Sequence, residues 1–289
     1  MEESGDSKLT LARRYLDVDR PERALAALES GADLDDVEYW EVRAEALLEL
    51  DRPGEAADAA RRGLDLEADN VLLLDLLALA EIALDNDKEA ERILATALEF
   101  DPDNPLLLAH RALALARRKR YDDARRDIAS AMQIAPDWTP VLTVRAQVAV
   151  LSKDAHASEY IDDLLEEDPE NRMGHALRGG LSLQQARFRP AREALDEAAR
   201  LDPSDPDVAA AAREARVLLH PVLAPVRPVW RYGRWRSYFT YLTISAALAA
   251  AGLKSIRYVV VSIWLVIVIL SWTAPRILMW REKRKYGGF

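Results

Sequence analysis

Through the first two-thirds of the chain, apolar residues recur every three or four positions in short runs separated by polar turns. That spacing predicts amphipathic helices, each with one stripe for a core and one face for water. Runs such as EAERILATALEFDP and DDARRDIASAMQIAP read as helices that stop at a proline, because the residue before proline disfavours the helical conformation. After His220 the pattern changes. Residues 237–253 (SYFTYLTISAALAAAGL) and 258–275 (YVVVSIWLVIVILSWTAP) are long runs without a charged side chain.

The helical part repeats itself. Pro102, Pro136, Pro169 and Pro203 are spaced 34, 33 and 34 residues apart, and an alanine stands twelve residues before each: Ala90, Ala124, Ala157 and Ala191. Small residues recur a further helix back, at Ala78, Ala112, Ala146 and Gly179. Small side chains at such places let antiparallel helices approach closely. Trp40, Ala44, Leu47, Ala56 and Ala60 continue the register towards the N-terminus, with Ala68 where a proline would stand. Ala12, Tyr15, Ala24 and Gly31 begin it.

This period and pattern resemble the tetratricopeptide repeat, a helix–turn–helix unit of about 34 residues. The resemblance implies an all-α superhelical solenoid of about six repeats, at 5–36, 37–70, 71–104, 105–138, 139–171 and 172–205. A capping helix is expected at 206–219, closing the last apolar face. Together these form an expected domain over 1–220. In this family the first helix of each repeat lines a concave groove. Carried over by register, the groove residues are Glu38, Glu41, Glu45, Leu72, Leu76, Leu79, His110, Leu113 and Gln147. Asp75, Leu106, Ala109, Thr143, Val144, Met173, Ala176, Leu177 and Gly180 fall on the same face. Such a groove, acidic at one end and apolar beyond, suits an extended segment or amphipathic helix with a basic end. Members that capture a terminal carboxylate use Lys and Asn, whereas Leu9, Arg13, Val42, Leu72 and Leu76 stand at the corresponding places.

The remainder reads as a membrane anchor. Residues 221–236 form a connector in which Pro221, Pro225 and Pro228 favour extended chain. Basic and aromatic residues interleave there, a mixture that suits either nucleic acid or a membrane surface. The uncharged runs that follow favour the membrane, with no nucleic-acid partner. At the helical rise each run spans about 25–27 Å against a hydrocarbon core of about 30 Å, so 237–289 is expected to form a two-helix transmembrane hairpin. An interfacial or re-entrant hairpin is the next reading. Trp230, Arg231, Arg234, Trp235, Arg236, Trp280, Arg281, Lys283, Arg284 and Lys285 would anchor it among anionic lipid headgroups. The basic ends and the lack of an N-terminal signal peptide predict a bacterial inner-membrane protein with both termini cytoplasmic. The hairpin also offers a surface for a membrane-protein partner.

Charge agrees with a division of the chain. The net charge of -10 combines +10 on 221–289 with -20 on 1–220. The abundance of Arg over Lys is compatible with a GC-rich bacterial genome. The absence of cysteine excludes disulfides and thiolate chemistry, and the four histidines have no paired metal-ligand spacing. No phosphate loop, zinc-protease helix or nucleophile elbow is present, so no enzyme activity, cofactor or metal is expected. The expected function is a membrane-anchored adaptor or scaffold that holds a protein or peptide partner in the groove. The alternative is a structural or assembly subunit of an inner-membrane complex that uses its hairpin as the main interface.

Overall fold

The computed structural model describes residues 3–29, 34–203, 205–224, 227, 234–253, 255–256, 258–267, 269 and 273. Helices follow one another along the chain: α1 (Glu3–Leu16), α2 (Pro21–Glu29), α3 (Val37–Glu49), α4 (Pro53–Leu66), α5 (Val71–Ala83), α6 (Asp87–Phe100) and α7 (Pro105–Arg117). Then come α8 (Tyr121–Ile134), α9 (Thr139–Ser152), α10 (Ala157–Glu167), α11 (Arg172–Gln184), α12 (Phe188–Leu201) and α13 (Pro206–Leu218). A 3-10 turn at Pro221–Leu223 precedes α14 (Arg234–Ala250). Two compact units divide the chain, Met1–Tyr160 and Ile161–Phe289, with the boundary inside α10.

Short polar side chains start helices α3, α5, α7, α11 and α13. Asp36, Asn70, Asn104, Asn171 and Asp205 each accept a hydrogen bond from a backbone N–H of the first turn. Such a cap is worth about 1 kcal/mol. Helices α1, α3, α5, α7, α9 and α11 end alike. Asp19, Asp51, Asp85, Lys119, Lys153 and Ala186 all adopt the left-handed conformation, with φ between 53° and 64°. At each, two backbone bonds close the helix; at the second turn Asp51 N–H donates to Leu48 C=O and Arg52 N–H to Leu47 C=O. This is the Schellman stop, and it recurs at all six turns.

Within Met1–Tyr160, α1 packs on α3, α3 on α5, α5 on α7 and α7 on α9, each also meeting its hairpin neighbour or the one before. Ala44, Ala56, Ala60, Ala78, Ala90, Ala112, Ala124 and Ala146 are fully buried at these contacts. Gly63 serves the same purpose more severely: a Cβ there would lie 2.5 Å from Leu73 Cδ1 and 2.9 Å from Trp40 Cβ. Ion pairs join successive hairpins at the rim. Arg61 reaches Glu81, Arg117 reaches Asp85 and Asp87, and Arg118 and Arg120 share Glu91.

Within Ile161–Phe289, α11, α12 and α13 pack on one another, and Leu195, Ala212 and Ala215 form the centre of that contact. Gly179 admits the Leu195 side chain at a distance that no Cβ would tolerate. The 3-10 turn buries Leu223, and Arg227 donates to the carbonyls of Leu218 and His220 at the end of α13.

The transmembrane expectation is corrected here. Among the described residues, no helix is long and apolar enough to cross a membrane. In the first expected span, helix runs only through Ala250, where Gly252 at φ 72° and a bond from Leu253 N–H to Leu248 C=O make a seventh Schellman stop. The 17 residues of α14 measure about 25 Å and begin with Arg234 and Arg236. Its interior carries Thr240, Thr243, Ser245 and several alanines, so freedom from charge there does not amount to strong apolarity. Of the second expected span, 258–267, 269 and 273 are described and are helical; the rest lies outside the described residues. The two-span hairpin and the inner-membrane location are therefore overturned, and the lipid and membrane-protein partners assigned to them lose their basis.

Candidate peptide-binding groove

The sequence-derived groove residues of Met1–Tyr160 lie on the first helices of successive hairpins, α3, α5, α7 and α9. On α3 the series Glu38, Glu41, Glu45 continues at the same helical spacing to Glu49, a residue the sequence reading did not select. Asp17 and Asp19, at the end of α1 and in its turn, add charge of the same sign. Arg13 of α1 answers part of it: its Nε donates to Glu38 Oε1 at 2.6 Å and its Nη2 to Glu41 Oε2 at 3.2 Å. Asn70 Nδ2 also donates to Glu41, at 3.0 Å.

The compensation is incomplete. The Glu49 carboxyl is pushed up to about 7, first by desolvation and then by Glu45 and Asp19. Glu45 is also held above its ordinary value by desolvation; Arg13 opposes that, while Asp17 and Glu41 add to it. For Arg13 desolvation works against the charge, but the bond to Glu38 and the charges of Glu38, Glu41 and Glu45 outweigh it, and the guanidinium is held more firmly protonated. The face around α3 thus has an excess of crowded carboxylates.

Farther along, the face is leucine-rich. Leu72 on α5 is 44% exposed, and Leu79, Leu106 and Leu113 are partly buried. Leu76 is buried among the helices rather than open to a partner. His110, a polar member of this stripe, is buried as well, with Nδ1 2.7 Å from Asp75 Oδ1 across the α5–α7 contact. Gln147 on α9 is partly buried. In the second unit Met173, Ala176, Leu177 and Gly180 are partly exposed on α11. Of the former membrane-anchor residues, Arg234, Trp235 and Arg236 begin α14, whereas Trp230, Arg231, Trp280, Arg281, Lys283, Arg284 and Lys285 lie outside the described residues. Among the described residues, no group of three or more His, Cys, Asp or Glu is placed to hold a metal ion.

Repeated antiparallel helix pairs with a common joint define the class: a helix–turn–helix repeat protein. The family model of the tetratricopeptide repeat matches residues 9–70. No curated protein matches the chain. Among solved structures, a chain of the APC/C hetero-tetramer Cut9-Hcn1 is similar, with TM-score 0.60 and 16% identity, over 74% of this chain and 43% of that one. The IFIT1 monomeric mutant solved with Gppp-AAAA gives TM-score 0.57 and 17% identity, covering 72% of this chain and 55% of the other. PilW, described as a widely conserved type IV pilus biogenesis factor, gives 0.53 and 17%, covering 71% and 96%. The chain thus spans about half the length of the first two. At these identities the likeness is one of fold. Tetratricopeptide-repeat proteins mediate protein–protein interactions.

Proposed function

We propose that this protein is an adaptor or scaffold whose first unit binds a peptide segment of a protein partner along the face of α3, α5 and α7. The segment has a basic end that lies against Glu38, Glu41, Glu45 and Glu49, and apolar side chains that cover Leu72, Leu79, Leu106 and Leu113. The observation that carries this reading is the excess of crowded carboxylates beside a partly exposed leucine stripe, on helices packed directly against one another. A cationic group brought there relieves like-charge repulsion, and leucine surface leaves water in the same step.

The test is selection of peptides from a displayed random 12-residue library on the immobilised full-length chain, followed by fluorescence anisotropy with the selected peptide. Selected sequences should combine apolar residues with a basic end. The triple reversal Glu38→Lys, Glu41→Lys, Glu45→Lys should weaken the selected peptide at least tenfold at low salt, with helical circular dichroism unchanged. Selected peptides without a basic end, or affinity indifferent to the reversal, would overturn the assignment.

A further inference from the structure

The leucine stripe has a buried polar pair at its centre. Asp75 is 6% exposed and His110 8% exposed, and they meet at 2.7 Å across two hairpins. Leu72 and Leu79 flank Asp75 at helical spacing on α5, as Leu106 and Leu113 flank His110 on α7. Burying such a pair among leucines has a desolvation cost, so its geometry is tightly specified once formed.

The geometry also sets the chemistry of the free ring nitrogen. With Asp75 Oδ1 as the acceptor of this bond, the proton at the contact sits on His110 Nδ1. In the neutral ring Nε2 then carries a lone pair and accepts. Among the described residues no hydrogen bond is made at Nε2, and 11% of the His110 side chain is exposed.

Resting on the groove reading above, we propose that His110, held by Asp75, accepts a hydrogen bond from one backbone N–H of the bound segment and thereby sets its register. Leucines on either side accept many apolar side chains at many offsets, whereas one directional acceptor between them favours a single offset. The acceptor also selects conformation. A helix spends its backbone N–H groups internally beyond the first turn, whereas an extended chain presents them outward. The occupant is therefore an extended segment with a basic end.

The experiment scans the selected peptide with single backbone N-methyl groups, each removing one donor, against wild type, His110→Phe and His110→Gln. Wild type should lose about tenfold at one position, in line with the loss of one buried hydrogen bond. His110→Phe should bind the unmethylated peptide about fivefold to tenfold more weakly and be indifferent at that position; His110→Gln, which keeps an acceptor, should recover part of both effects. A two-bond proton–nitrogen spectrum of the full chain at pH 8 should show His110 protonated at Nδ1, with Nε2 shifted on adding the peptide. An N-methyl profile unchanged by His110→Phe, or a ring protonated at Nε2, overturns the register role even where the Glu38/Glu41/Glu45 reversal still weakens binding. If that reversal has no effect, the groove reading itself has failed.

Discussion

Helix α5 and helix α14 make an instructive pair. The first, VLLLDLLALAEIA, is the more apolar of the two, yet it lies within the repeats with most of its side chains buried. The second, RWRSYFTYLTISAALAA, is longer and less apolar, and leaves Phe239 59% exposed, with Tyr238, Leu242 and Ile244 also in the open. What differs is the neighbours. α5 meets α3, α4, α6 and α7, whose alanines and Gly63 bring backbones close. Around α14 the described contacts are aromatic, with Tyr241 stacked on Trp264 at 4.4 Å between ring centres. An apolar run therefore reports its need for a partner surface, and the complementary small residues on other helices decide whether the fold supplies one.

Close approach is the sharpest point at which to break that comparison, and adjacent glycines on α11 allow it. A Cβ at Gly179 collides with Leu195, whereas one at Gly180 meets nothing within 4 Å. Gly179→Ala should cost about 1–3 kcal/mol through overpacking. Gly180→Ala should stabilise by about 0.5–1 kcal/mol, since alanine is the better helix former. Urea denaturation of the two variants should move in opposite directions; a shift of the same sign would show that helix propensity, not packing, governs α11.

A smaller effect compares the joints. Ala186 adopts φ 54° despite its Cβ, while Gly252 ends α14 at φ 72°. Ala186→Gly should stabilise by about 1 kcal/mol by relieving left-handed strain, and Gly252→Ala should cost a similar amount. Hydrogen exchange should place the second change within α14 and leave amide protection in α5 as it was.

The smallest expected effect is electrostatic. Glu49 holds its proton up to about pH 7 in the folded chain, against an ordinary value of 4.5. Between those values the folded chain binds the extra proton, so this group's contribution to stability is full below 4.5 and declines as pH rises to about 7. Glu49→Gln should flatten that decline in melting temperature measured from pH 5 to 8. A slope as steep as that of wild type would remove Glu49 from the crowded cluster.

The repeat was legible because proline and small residues have steric meaning at fixed spacing: Ala78, Ala112 and Ala146 can be read before any coordinate is known. The turns were less so. Left-handed residues usually announce themselves as glycine or asparagine, but here Asp, Lys and Ala take the position, and only the common Schellman bonding identifies them. The placing of Glu38, Glu41, Glu45 and Leu72 on the first helices of their hairpins followed from register. The bonds from Arg13 to Glu38 and from His110 to Asp75 did not, because they span 25 and 35 residues and depend on the stagger between helices. The expected membrane hairpin rested on two uncharged runs of near-spanning length, a strongly hydrophobic second and a marginal first that is rich in Ala, Ser and Thr. Helix length and the stop at Gly252 are set by backbone bonding that the length of such a run does not report.

The uniform joint bears on how such a chain is inherited. Asp51 and Asp85 share their backbone angle and their bonding, so each hairpin begins and ends on interchangeable fittings. An in-frame duplication or deletion that runs from one joint to the next rejoins like with like and leaves both flanking helices with ends they already accept. Length in this chain is thus open to change in whole modules.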